Sequence, residues 1–159
     1  MKKSVKRILY LISGIILLSG VFASCEQAYK VTIYRLTCGA TEYTGPGDIA
    51  DPNLEAVYIR LLDDLMNDLS LLRLDEMWTV NIYDDNFKEQ DEKRVAQFNK
   101  YLPKVKELEA SYKKRIEEIE ITSTSSFCIK LQYILSRSVP ADYASALCLQ
   151  EYSFELKYN

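Results

Sequence analysis

FCIKLQYIL, residues 127–135, is the stretch from which the fold class follows. Phe127, Ile129, Leu131, Tyr133 and Leu135 alternate with Cys128, Lys130, Gln132 and Ile134. Successive side chains of a strand point to opposite faces, so this alternation lines one sheet face with an apolar row. Residues 147–158 repeat the pattern, with Tyr152, Phe154, Leu156 and Tyr158 facing together. The two runs predict a long antiparallel hairpin. Residues 136–145, with Pro140 and Tyr143, read as its loop.

Upstream the period changes. Leu54, Val57, Tyr58, Leu61, Leu62, Leu65, Leu69 and Leu72 recur at spacings of three and four, the apolar stripe of an amphipathic helix. Asp51-Pro52 marks its start, because Asp accepts from free amide groups and Pro suits the first helical position. A second stripe runs through Val95, Phe98, Leu102, Val105, Leu108, Tyr112, Ile116 and Ile119. Asp84-Asp85-Asn86 can cap it, and Pro103 predicts a kink or a break inside it. Between the helices, 77–83 reads as a short strand with Trp78, Val80 and Ile82 on one face. Ahead of both, 29–38 reads as a strand whose core side carries Tyr29, Val31 and Ile33. Gly39 and Gly45-Pro46-Gly47 mark a loop running to about residue 50.

The order is therefore β-α-(β)-α-β-β. Each helix has one apolar stripe and each strand one apolar face. The expected class is α+β, in two layers: two long helices packed on one face of a small sheet of three or four strands, ending in a C-terminal β-hairpin.

Composition narrows the chemistry. Histidine is absent, which removes imidazole general acid–base catalysis, Ser-His and Cys-His nucleophilic sites, and His-containing zinc sites. No nucleophile elbow, phosphate-binding glycine loop or dinucleotide fingerprint occurs. No catalytic residue, metal site or cofactor is assigned. The acidic residues Asp63, Asp64, Asp68, Asp75, Glu76, Asp84 and Asp85 lack the spacing of a calcium loop and read as a solvated helix face and caps.

Tyrosine stands out, with 12 in the chain. It supplies rigid contact area with a polar tip, which suits a binding face, and it also fills half-buried strand positions. Tyr34 is out of phase with the core side assigned to its strand. Tyr43 and Tyr143 fall in loops. These three are the candidate ligand-facing aromatics. Strand phase also puts Cys38 and Cys128 on the sheet face away from the core, where neighbouring strands would let them form a disulfide. Three reduced, half-buried thiols are the equal alternative. Cys148 shares the phase of Tyr152 and Phe154 and is expected to be buried and free.

The N-terminus carries Lys2, Lys3, Lys6 and Arg7, then an apolar run from Ile8 to Ala23. A positive segment, an apolar stretch too short to span a bilayer, and small residues before a cut site make a secretory signal. The run ends Phe22-Ala23-Ser24-Cys25, which resembles the lipobox of bacterial lipoproteins, though Phe22 stands where that pattern usually has an aliphatic residue. The resemblance covers residues 1–25 only. It implies that 1–24 is a cleaved signal peptide, that Cys25 carries acyl chains such as palmitate, and that 25–28 is a short tether to a single domain over 29–159. By the same resemblance, Glu26 in place of Asp favours the outer membrane, with periplasmic or surface orientation open.

Cleavage would remove 24 of 159 residues with four of the 20 basic and none of the 23 acidic side chains, leaving a domain of 135 residues and net charge about −7. Such a balance disfavours nucleic acid as a partner, since phosphate binding needs basic clusters. The expected protein is a noncatalytic, lipid-anchored envelope component with an accessory or assembly role and an envelope protein as partner. The alternatives are a small-ligand, glycan or peptide binder using the tyrosines, and, further off, a carboxylate-dependent hydrolase.

Overall fold

The computed structural model describes residues 31–44, 47–139 and 142–159. Cys25, the signal segment and Tyr29 lie outside them, as does the side chain of Tyr143. The elements are β1 (Val31–Tyr43), α1 (Pro52–Leu72), β2 (Glu76–Asn81), α2 (Phe87–Glu117), β3 (Phe127–Val139) and β4 (Asp142–Tyr158). The strands form one antiparallel sheet in the order β2-β1-β3-β4. Both helices pack on the same face of it, so the class is α+β in two layers.

The local reasons are legible. Asp51 Oδ1 accepts the Asn53 and Leu54 N–H groups at 2.9 and 3.3 Å, with Pro52 in the first helical position. Helix α1 ends where Arg73 turns left-handed at φ 49°, a conformation that favours glycine. Helix α2 runs unbroken through Pro103. That proline is solvent-exposed, and the N–H it lacks would have bonded the carbonyl of exposed Asn99, which water can reach. Asn86 occupies the N-cap of α2 without a side-chain cap bond.

The core lies between the layers. Leu54, Tyr58, Leu61, Leu65 and Leu69 of α1 and Phe98, Val105, Tyr112 and Ile116 of α2 meet Phe127, Ile129, Leu131, Tyr133 and Leu135 of β3. The Phe98 ring stacks on Tyr133 with centroids 4.2 Å apart. The β3 phase is the one its alternation predicts. So is that of β4, where Phe154 and Leu156 are buried and Tyr152 and Tyr158 pack against the core. In β2, Trp78 and Val80 turn inward as expected, and Ile82 falls just past the strand end.

Strand β1 reverses the expected phase. Thr32, Tyr34 and Leu36 face the helices and are at most 1% exposed, while Val31 and Ile33 lie half-buried on the opposite face. The cause is an interior strand apolar on both sides, in which alternation alone cannot choose between the rows. The even row wins because the Tyr34 hydroxyl finds a carboxylate beneath α2. The strand also runs on through Gly39 to Tyr43, where a loop was expected.

The β3–β4 loop is shorter than expected as well: the ladder extends to Val139↔Asp142. Within it, Leu135 pairs with Gln150 but Ser136 pairs with Cys148, so Leu149 is an extra residue. This β-bulge flips the phase of Leu147 and Cys148, and a second irregularity follows between Arg137 and Val139. Cys148 is therefore exposed rather than buried.

Candidate functional site

The tyrosines join the layers. Tyr34 donates to Asp91 Oδ1 of α2 at 2.5 Å, and Tyr112 of α2 donates to Asp68 Oδ2 of α1 at 2.8 Å. Tyr133 donates to the Phe98 carbonyl at 3.2 Å. Tyr58 donates to the Thr44 carbonyl, Tyr152 to Glu109 and Tyr158 to the Ile121 carbonyl. Each is an apolar body in the core with its polar tip satisfied. Burial first, then the bond to Asp91, pushes the Tyr34 hydroxyl up to about 12. The bond to Glu109 first, then burial, does the same for Tyr152. Burial raises Tyr58, Tyr112 and Tyr133 also.

Carboxylates along the helices are engaged in the same network. Asp91 takes the Tyr34 hydroxyl on one oxygen and Arg137 Nη1 on the other at 2.5 Å. The Arg137 guanidinium lies 5.1 Å from the Phe87 ring. Asp64 holds Arg115 at 2.5 Å, and that guanidinium covers the Tyr112 ring at 4.7 Å. Burial works against ionisation of Glu109, but the hydrogen bonds from Lys113 and Tyr152 outweigh it and keep its carboxyl below the ordinary value. A carboxylate tied to cations and donors is a lock, the reverse of a general acid, which needs its proton held on at neutral pH.

Two further polar groups sit beside this seam. The Arg94 guanidinium stacks over Trp78 at 4.4 Å, and Gln97 bridges to Glu76 at 2.9 Å. Among the described residues, Arg94 Nε and Thr32 Oγ1 are buried without a partner.

The candidate residues separate. Tyr34 is fully buried under α2, so it faces no ligand. Tyr43 is 53% exposed; the bulge near Thr41 sets it opposite Ile129, at the far end of the helix face. The sheet does not bring Cys38 and Cys128 together. Cys38 pairs with Tyr133 on the helix face, while Cys128 pairs with Lys157 on the other, and both are free thiols. The expected shared face rested on the β1 phase, and it fails with it. Burial, then the Asp75 carboxylate, pushes the Cys38 thiol up to about 12.

Several cavities lie among the described residues. One of about 400 Å³ runs between the helices over Leu72, Leu108 and Tyr112, rimmed by Asp68, Lys104 and Glu107. One of about 250 Å³ lies between the end of α2 and β4, lined by Lys113, Ile116, Glu117, Glu155 and Lys157. Hydrogen bonding by Lys157 holds the Glu155 carboxyl below its usual range. Another, of about 90 Å³, sits beside Cys38, Met66 and Leu74. No described group of three or more Cys, Asp or Glu residues has metal-site geometry.

No described helix covers the second sheet face. Its rows run Thr79–Ile33–Ser138, Met77–Arg35–Ser136–Cys148, Thr37–Ile134–Glu151 and Gly39–Gln132–Ser153. An antiparallel sheet can leave one face to water when that face is polar. Here five of the 13 residues are Ser or Thr and three more are Arg35, Gln132 and Glu151, with Met77 61% exposed among them. A Cβ on Gly39 would meet nothing within 4 Å.

No family model matches the chain, and no curated protein or solved structure matches it significantly.

Proposed function

We propose that the chain is a noncatalytic, lipid-anchored cell-envelope protein that acts as an accessory or assembly component, tethered through Cys25 and directed to the outer membrane. The observation that carries the reading is the division of labour in the domain. Reactive groups next to the core are spent on joining helices to sheet and helix to helix, and no described element covers the opposite sheet face. No described helix is long and apolar enough to cross a membrane, so attachment in this reading falls to the lipid. Two or more acyl chains hold firmly where one does not. Cys25 precedes the first strand by six residues, a reach of about 20 Å at most.

The reading is tested by membrane fractionation of the wild type and Cys25→Ser, with affinity capture from solubilised membranes. The wild type should sediment with membranes, incorporate labelled palmitate and bring down a stoichiometric partner. Cys25→Ser should do neither of the first two. A variant that stays lipid-labelled, or a wild type that repeatedly returns alone and as a monomer, contradicts the proposal.

A further inference from the structure

Strand β4 is an outer strand of the sheet, with β3 on one side and, among the described residues, no strand on the other. Past the bulge at Leu149 its ladder is regular for nine residues, from Gln150↔Leu135 to Tyr158↔Phe127. Alternate residues of such a strand direct N–H and C=O outward, so the edge presents a row of unpaired backbone groups. Natural sheets shorten, cover, bend or charge a long regular edge that must stay alone. Here both irregularities of the ladder, at Leu135/Ser136 and Arg137/Val139, precede the regular stretch, and the charges on it are of both signs, so they attract in one register and repel in another.

The side chains on this edge form a self-complementary pattern. Glu151, Ser153, Glu155 and Lys157 share the uncovered sheet face by register, and within one chain Lys157 holds Glu155 at 2.5 Å, a pair that the two-fold contact would exchange for one with Glu151 of the second copy. In an antiparallel pair of two copies, directly opposite residues must lie on the same face, so opposed residue numbers sum to an even total. With the two-fold axis at Phe154, Glu151 opposes Lys157 of the second copy, and Lys157 opposes its Glu151. Ser153 opposes Glu155. Moving the axis one residue back, to Ser153, would set Glu151 against Glu155 twice, a like-charge repulsion. Centring it on Leu156 opposes Glu155 and Lys157 but leaves only a short overlap. Charge and overlap together choose the axis at Phe154. On the helix face the same register sets Tyr152 against Leu156 and Phe154 against itself.

We propose that β4 is a homodimer interface, pairing antiparallel with β4 of a second copy about Phe154 into a continuous eight-stranded sheet. Such a two-fold contact uses the same patch on both copies, so it closes at two and does not propagate. It deepens the assembly reading by naming a partner. It is independent of the lipid anchor, because pairing is read on purified chain.

The test is the mass of the full chain in detergent micelles, by light scattering across a dilution series, with hydrogen exchange of the β4 amides. The wild type should be a dimer, and the amides at 151–157 should lose protection on dilution. Lys157→Glu and Glu151→Lys should each raise the dissociation constant about tenfold or more, since each turns two attractive pairs repulsive. The double variant Glu151→Lys/Lys157→Glu restores opposite charges and should restore the dimer. Both sites are exposed strand positions, and thermal melts confirm that each variant folds. A wild-type monomer at every concentration overturns the proposal. So do single variants that dimerise like the wild type, or a double variant that stays monomeric.

Discussion

Replacing Tyr34 by Phe removes one oxygen atom and tests whether the tyrosines are structural. The ring is fully buried, and its hydroxyl donates to Asp91, whose second oxygen holds Arg137. The substitution keeps the ring and leaves a carboxylate short of one donor. Hydrogen bonds to charged groups are worth about 1.5–3 kcal/mol. The Asp91 and Arg137 side chains are 25% and 24% exposed, so water can replace part of the lost bond, which favours the lower half of that range. The expected loss is about 1.5–2 kcal/mol, or a fall in Tm of roughly 6–8 °C for a domain of this size. Urea denaturation followed by circular dichroism should show a lower midpoint with an unchanged slope. Tyr43→Phe, at a half-exposed position, should stay within about 0.5 kcal/mol of the wild type. If the two variants prove equally harmless, the lock at Asp91 contributes nothing to stability and the reasoning fails.

Four more outcomes follow from the same geometry. The Tyr34 and Tyr152 hydroxyls are raised from about 10 to about 12, so the unfolded chain loses these protons first; their stabilisation is complete below pH 10 and is lost as pH rises towards 12. Absorbance at 295 nm and circular dichroism should then change together in alkaline titration, and ionisation of all tyrosines near pH 10 with the fold intact would contradict this. Leu36→Lys should cost about 3 kcal/mol or more and Ile33→Lys less than about 1, and the opposite ranking in urea melts would reinstate the other β1 phase. Alkylation of the native protein should reach exposed Cys148 before Cys38, and intact mass should show no bridge between Cys38 and Cys128 released by reduction. Arg73→Gly should stabilise by about 0.5–1 kcal/mol, since Arg73 holds φ 49° where glycine is at ease; an unchanged or lower Tm would oppose this.

The elements with a single apolar stripe or row could be read from sequence. The Asp51 cap, both helical stripes and the Phe127–Leu135 alternation each have one physical solution, and the structure adopts it. Strand β1 could not be read this way, because Val31 and Ile33 compete with Tyr34 and Leu36 for the inner face. The choice is made by Asp91, 57 residues further on. From that error came the exposed Tyr34 and the Cys38–Cys128 pair. The Leu149 bulge has no signature in a run such as ALCLQEY, so the exposure of Cys148 was equally hidden. The locking carboxylates looked like a solvated face because their partners are tyrosines and arginines far along the chain. Asp68 meets Tyr112 and Asp64 meets Arg115 only once the helices pack together.

The central claim is that this domain acts while held to a membrane by lipid on Cys25. The most direct test is the intact mass of the protein extracted from membranes, with sequencing of its N-terminal peptide. The expected result is a chain that lacks residues 1–24, begins at Cys25 and carries the added mass of its acyl chains. A chain that retains residues 1–24, or an unmodified Cys25 thiol, would contradict it.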